Sequence, residues 1–294
     1  MTQHFGRKKR SPAFVLGVVV CLAALVGAWY LLSRGQSPAV MPSPARTVDA
    51  LWRITRDGSL AEELSLTLAR AALATFAALV IGIVIGAAAS RFAFADGMLA
   101  PVRALLQGLP PIVLIVCLVL WLGSDPVITV IVCATVMVPL VAAATTAALR
   151  GIDPHLLELG AGLQLGRTRR LAFVTVPSVA PPILAATGAV ASGSVRIAVM
   201  AELLSAPDGV GAAIAQTRTL LQTPELYAWA LALVACALVV DVAVRAVVTR
   251  WTGVFAPSAR ATVGPSARAT GRRSARAAVG RTTIGHSPGD TRTR

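Results

Sequence analysis

Long apolar runs separated by short polar breaks dominate this chain. The runs extend from about Pro12 to Leu32, Leu66 to Ala89, residues 97 to 122, Val127 to Leu149, Pro177 to Leu204 and Leu226 to Val248. As a helix, each is long enough to cross the hydrocarbon core of a bilayer, which takes about 20 residues. The pattern predicts an all-α, polytopic membrane protein with about six transmembrane helices. The first run follows the basic patch GRKKR but is too long for a signal peptide. It ends on Trp29-Tyr30, which reads as an interfacial anchor rather than a cleavage site.

Details within the pattern refine it. Residues 34–60 hold Pro42, Pro44 and charges of both signs, and read as an external loop. Ser59 reads as the cap of the second spanning helix, with Glu62 and Glu63 in its first turn. Gly82 and Gly86, four apart, offer a face for close helix packing, and Arg70 near the outer end can snorkel to the interface. Arg91 to Asp96 read as a short inner turn. Pro110-Pro111 removes two backbone donors inside the third span, which must kink or break there. Irregular backbone at membrane depth is tolerated against protein or a water-filled cavity, so this break is a candidate wall of a translocation pathway. Gly123-Ser124-Asp125-Pro126 is a tight outer turn. The segment from Ser205 to Pro224 is external and contains a short amphipathic run.

Composition supports the same class. Of 294 residues, 56% are hydrophobic and 14% charged, with a mean hydropathy of +0.74, which fits an integral membrane protein. The net charge of +14 sits mainly at the two ends and in one loop near residues 150–170. That places both termini and this loop on the cytoplasmic side and predicts contact with anionic membrane lipid. Nucleic acid would need a basic surface on a folded reading element and is not expected. Residues 256–294, with PSARAT twice, read as a disordered cationic tail. The organisation expected is a first helix and external loop over 1–60, a transmembrane core over 61–255, and the tail. Cys21, Cys117, Cys133 and Cys236 lie in apolar runs without CxxC spacing and read as small core hydrophobes. No metal or cofactor is expected. The only lysines are Lys8 and Lys9, so no P-loop is present. If ATP drives this chain, the motor is another polypeptide.

The long polar break, DPHLLELGAGLQLGRTRRLAFVTVPSVAPPI over 153–183, is the informative one. Leu156, Leu157, Leu159 and Leu163 alternate with Gly160, Ala161 and Gly162. This reads as a short helix with one apolar face and little bulk on the other, suited to a groove on a soluble partner or to the headgroup layer. The stretch resembles the cytoplasmic EAA loop of permease subunits of binding-protein-dependent ABC importers. Glu158 takes the Glu position, Leu159-Gly160 the two Ala positions, Val174 the aliphatic position, and Val176-Pro177 stands for Leu-Pro. The family's central Gly is Gln164 here, flanked by Gly162 and Gly166. LLQGLPPIVLIVCLVLWLG at 105–123, ALRGIDPHLLELG at 148–160 and AELLSAPDGVG at 201–211 look like parts of nitrate/sulfonate/taurine-type permeases.

The resemblance implies the type I (MetI-like) importer fold and a set of partners: cytoplasmic ATPase subunits, an extracytoplasmic solute-binding protein and a second permease copy. On that reading, Glu158, Gly160, Ala161, Gly162, Leu163, Gln164 and Gly166 transmit force, and Pro177 fixes the start of the next span. Arg196, within the fifth apolar run, is a candidate positive site for an anionic solute, with Ser192 and Ser194 beside it. Glu202 is six residues on, about 9 Å along and some 240° around a helix, so the two make no local ion pair. Pro110, Pro111, Ser192, Ser194, Arg196 and Glu202 are the candidate pathway residues. Asp241 and Arg245 read as a helix-face pair. No catalytic constellation stands out, and no enzyme activity of the chain's own is expected. Other readings are an ion-driven secondary transporter, which would need mid-membrane carboxylates and inverted repeats, a thiamine-precursor (pyrimidine) permease, and a membrane anchor without transport.

Overall fold

A computed structural model describes residues 12–255, apart from Pro38 and Leu165. The basic N-terminal patch and the cationic tail proposed for 256–294 lie outside the described residues. All secondary structure among the described residues is helical. The helices are α1 (Pro12–Arg34), α2 (Pro44–Arg56), α3 (Ser59–Arg91), α4 (Ala93–Gly108), α5 (Pro111–Leu122) and α6 (Pro126–Arg150), followed by α7 (Pro154–Gly162) and α8 (Arg167–Arg170). A π-helical turn (Leu171–Thr175) leads into α9 (Val176–Ser205), then α10 (Val210–Thr219) and α11 (Thr223–Phe255).

Five of these segments are long and apolar enough to cross a membrane, counting α8 through α9 as one. The broken pair α4–α5, bent by 97°, makes a sixth candidate if its two legs count as one span. Pro110 and Pro111 cause the break as expected, but the result is sharper than a kink. Leu109 and Pro110 are extended, and Pro111 begins a new helix.

The core lies where α3, α6 and α9 meet. Ala71, Ala74, Cys133, Val195 and Ala198 are buried together, and Ala78, Met137, Val141 and Val190 continue the same seam. Small residues dominate because lipid offers no hydrophobic drive, so association depends on close backbone approach. Gly82 and Gly86 are that approach. A Cβ on Gly82 would stand 2.5 Å from Val141 Cβ, and one on Gly86 2.6 Å from the Ala142 carbonyl. The Thr146 hydroxyl lies 3.1 Å from the Gly86 carbonyl and 2.8 Å from that of Ala142, tying α6 to α3. Cys133 is buried as expected, whereas Cys21 on α1 is exposed.

Several expectations change. Residues 34–60 are not simply a loop, because α2 occupies 44–56. Ser43 caps it, accepting from the Arg46 amide, and Pro44 takes the first turn, where its missing N–H costs nothing. Of the two prolines read as loop formers, Pro44 is the helix start and Pro42 lies just before its cap. α2 buries Thr47 and Ala50, and is tied to α11 by Arg53–Glu225 at 3.0 Å. Trp29 of α1 donates to the Pro42 carbonyl and stacks on Tyr227, so the expected lipid anchor also has protein partners. Ser59 is not the cap of α3. Gly58 is, in the left-handed region at φ 79°, while the Ser59 hydroxyl donates to the Ile54 carbonyl. The inner turn shrinks to Phe92. Asp96, already helical, accepts from Arg103 at 2.6 Å and Arg150 at 3.0 Å, and so fastens the α3–α4 corner to the end of α6.

Candidate functional site

Two ends of the bundle and one groove carry the polar chemistry. At the first end, α7 projects away from the core. Its Pro154 start is supported by the Asp153 carboxylate, which accepts from the His155 amide at 2.9 Å. Leu156, Leu159 and Leu163 are exposed, Gly160 is buried, and the Glu158 side chain is 77% exposed with His155 3.8 Å away. Ala161 lies in the last turn of α7. Among the described residues, nothing lies within 4 Å of where a Cβ on Gly162 or Gly166 would stand. The short helix expected from the sequence is present as α7, with Leu156 and Leu159 exposed along it and Gly160 buried.

The chain turns sharply after α7. Gln164 has φ 50°, in the left-handed region that favours glycine. The bend survives without the glycine, at the expense of a side chain in a strained conformation. Pro177 stands at the second position of α9, which begins at Val176 and runs on without interruption from the π turn. The Val176 amide donates to the Leu171 carbonyl, five residues back. Pro177 has no amide to continue the ordinary ladder, which gives a physical reason for a π turn just before it.

At the opposite end stands a buried ionic node that the sequence did not disclose. Glu202 of α9 has no exposed side-chain surface. Its carboxylate accepts from the Thr67 hydroxyl at 2.7 Å, Arg70 at 3.0 Å and the Gly211 amide at 3.3 Å. Arg70 also reaches the Asp208 carboxylate at 2.5 Å and the Asp208 carbonyl at 3.0 Å. It is 12% exposed, so it does not snorkel as expected. The Gly209 amide donates to Glu63, and the Val210 amide donates to Thr67 at 2.9 Å. Gly209 has φ 98°, and a Cβ there would meet the Glu202 carboxylate at 2.5 Å. The glycines of PDGVG are therefore needed for contact with a charged side chain, and the node binds α3, α9 and the start of α10 into one unit.

The candidate pathway residues do not form one site. Glu202 belongs to the node. Ser194 is buried against α6, where Cys133 Sγ lies 3.6 Å from its carbonyl. Pro110 and Pro111 sit at the α4–α5 corner. Only Ser192 and Arg196 come together, in a groove between α9 and α11. The expectation that Arg196 and Glu202 make no pair holds. Asp241, however, faces Arg196 at 3.9 Å rather than pairing with Arg245 on its own helix. Three turns of α9 and two of α11 put these side chains on one wall, which no local spacing rule could show. Among the described residues no group of His, Cys, Asp or Glu is arranged to hold a metal ion.

The family of binding-protein-dependent transport system inner membrane components matches residues 78–253. The taurine transport system permease protein TauC of Escherichia coli K12 is 26% identical over 238 residues, covering 79% of this chain and 86% of that protein. The putative aliphatic sulfonates transport permease protein SsuC of Bacillus subtilis 168 is 26% identical over 208 residues, covering 70% and 75%. In fold, the chain is similar to a subunit of the inward-facing MetNI methionine ABC transporter. The TM-score is 0.55 at 15% identity, covering 68% of this chain and 98% of that one.

Proposed function

Because this chain belongs to the family of binding-protein-dependent transport system inner membrane components, we propose that it forms the translocation pathway for a small anionic solute of the sulfonate or taurine class. ATP hydrolysis belongs to separate cytoplasmic subunits, an extracytoplasmic binding protein delivers the solute, and two copies of this chain pair across the pathway. Both termini and α7 face the cytoplasm. The α10 end, with its ionic node, faces outward.

The observation that carries the coupling role is α7 itself. Exposed Leu156, Leu159 and Leu163, beside Gly162 and Gly166 with no neighbour among the described residues, form a surface that is apolar and unfilled. An ATPase groove could close over it, with Glu158 at its rim. Burial of three leucines would stabilise such an interface by several kcal/mol, at about 1.5–3 kcal/mol per fully buried side chain. Beyond the bend at Gln164, α8 and the π turn run into α9 as continuous helix, so a push on α7 is passed across that bend to the span that carries Arg196 and Glu202. The solute class rests on the names of the two relatives and on the positive groove at Arg196.

Co-purification from membranes tests the coupling. Wild-type protein should bring down an ATPase whose turnover rises in the complex. Gly162→Trp should fill the open position and abolish both without changing the amount of chain in the membrane. An ATPase that remains bound and stimulated in that variant would refute the role given to α7. Uptake that persists after deletion of the ATPase would refute the importer mechanism and favour an ion-driven one.

A further inference from the structure

The groove between α9 and α11 has a volume of about 440 Å³, with Ser192, Arg196, Asp241, Arg245 and Thr249 as polar lining. Arg196 lies nine residues before the end of α9, about 14 Å of rise, and Asp241 lies 18 residues after the start of α11, about 27 Å. Both lie inside the apolar runs of their helices, Arg196 eight residues before Leu204 and Asp241 seven before Val248. Charged groups at that depth face protein or a water-filled cavity rather than lipid. The Arg196 side chain is nevertheless 69% exposed within this chain. Its approach to Asp241, 3.9 Å, is too long for a hydrogen bond. Both groups therefore keep hydrogen-bonding capacity for a third.

Charge decides what that third group is. Two guanidiniums and one carboxylate line the groove, leaving one positive charge uncompensated. Electrostatic complementarity therefore favours an occupant that carries one net negative charge. A zwitterion would satisfy the groove locally and still leave the excess.

We propose that this groove is a transit site for a monoanion without an ammonium group, such as an alkanesulfonate, held by Arg196 and Arg245 while Asp241 sets the charge limit. The proposal rests on the importer reading above for the origin of its solute. It goes beyond that reading by assigning Asp241 and Arg245 and by favouring an alkanesulfonate over an aminosulfonate. Guanidinium suits a sulfonate because its fixed fork of donors matches paired anionic oxygens. The same acidic chemistry could come from a lipid headgroup, but the depth of Arg196 and Asp241 favours a solute.

The test uses the purified full-length chain in nanodiscs of phosphatidylcholine, titrated calorimetrically with ethanesulfonate and, separately, taurine. Ethanesulfonate should bind the wild type at least tenfold more tightly than taurine. Arg245→Gln should weaken ethanesulfonate at least tenfold and leave taurine within about twofold, and Arg245→Lys should restore most of the loss. Asp241→Asn should tighten ethanesulfonate and admit sulfate, a dianion. Equal affinities for the two ligands, an Arg245→Gln variant unchanged toward ethanesulfonate, or losses equal for both would overturn the proposal. So would stabilisation by phosphatidylglycerol in place of any response to ethanesulfonate. No ATPase is needed for this measurement, so its failure is separate from failure of the importer mechanism, which the co-purification reads.

Discussion

Glutamine at position 202 isolates the value of a buried charge, because Glu202→Gln keeps the shape of the side chain and removes its charge. In the native node one carboxylate oxygen takes Arg70 at 3.0 Å, and the other takes Thr67 at 2.7 Å and the Gly211 amide at 3.3 Å. Arg70 and the Gly211 amide can only donate. Whichever way the new amide is turned, its NH₂ faces a donor, so at least one native hydrogen bond is lost and one donor is left without a partner. Removing one member of a buried ion pair costs about 3–5 kcal/mol. Arg70 keeps Asp208 and a little solvent contact, so the expected loss is near the lower figure, about 3 kcal/mol. By the scaling for chains of 150–250 residues, that is a fall of roughly 6–12 °C in midpoint. Thermal unfolding in detergent, followed by cysteine accessibility at buried Cys133, would read it. Arg70→Gln and the double variant complete a cycle, and the coupling energy should exceed ~1 kcal/mol. A fall of under 2 °C, or single effects that simply add, would refute the view that this pair holds α3, α9 and α10 together.

The remaining predictions concern backbone approach and the bend after α7. Gly86→Ala should destabilise the chain by about 1–3 kcal/mol through collision with the Ala142 carbonyl and Thr145, whereas Gly97→Ala, with open space around it, should not; unfolding midpoints of the two compare them directly. Gly211→Ala would drive a methyl into Leu203 N and Glu202 Cβ, each 2.6 Å away, and should loosen α10, read as faster amide exchange over 210–219. Gln164→Gly should relieve a left-handed residue and stabilise the α7 bend by roughly 1 kcal/mol, retaining ATPase binding, while Gln164→Val should lose it because a β-branched residue resists that conformation.

How much of this was readable from the chain differs by scale. The spans were legible because membrane thickness sets a run length that few other constraints imitate, and α3, α6, α9 and α11 contain the runs marked for them. The break at Pro110-Pro111 was legible because missing donors act locally; its 97° angle was not, since that depends on what each leg packs against. Residues 44–56 show a signal passed over. Ser43-Pro44 is a cap followed by a proline at the first position, but with Pro42 nearby and charges of both signs it resembled loop chemistry.

Partner choice was the part that sequence could not carry. Glu202 was recognised as unusual, yet its partners Thr67 and Arg70 lie 135 and 132 residues away, and their meeting depends on how α3 leans on α9. Arg196 was recognised too, and the absence of an i,i+6 pair with Glu202 followed from helix geometry alone. What helix geometry could not show was that the two residues, about one and two-thirds turns apart on one helix, serve different surfaces. Glu202 faces the core and α10, and Arg196 faces the groove shared with α11. That separation has a mechanical consequence. A displacement entering α9 through α7 moves both together, because α9 is unbroken from Val176 to Ser205. If the node holds the outer end to α3 while the α7 end moves, α9 must pivot near the node, and Arg196, nine residues from the end, must swing relative to Asp241 of α11. Under the proposed importer mechanism, the 3.9 Å gap between Arg196 and Asp241 is the distance that such a pivot changes.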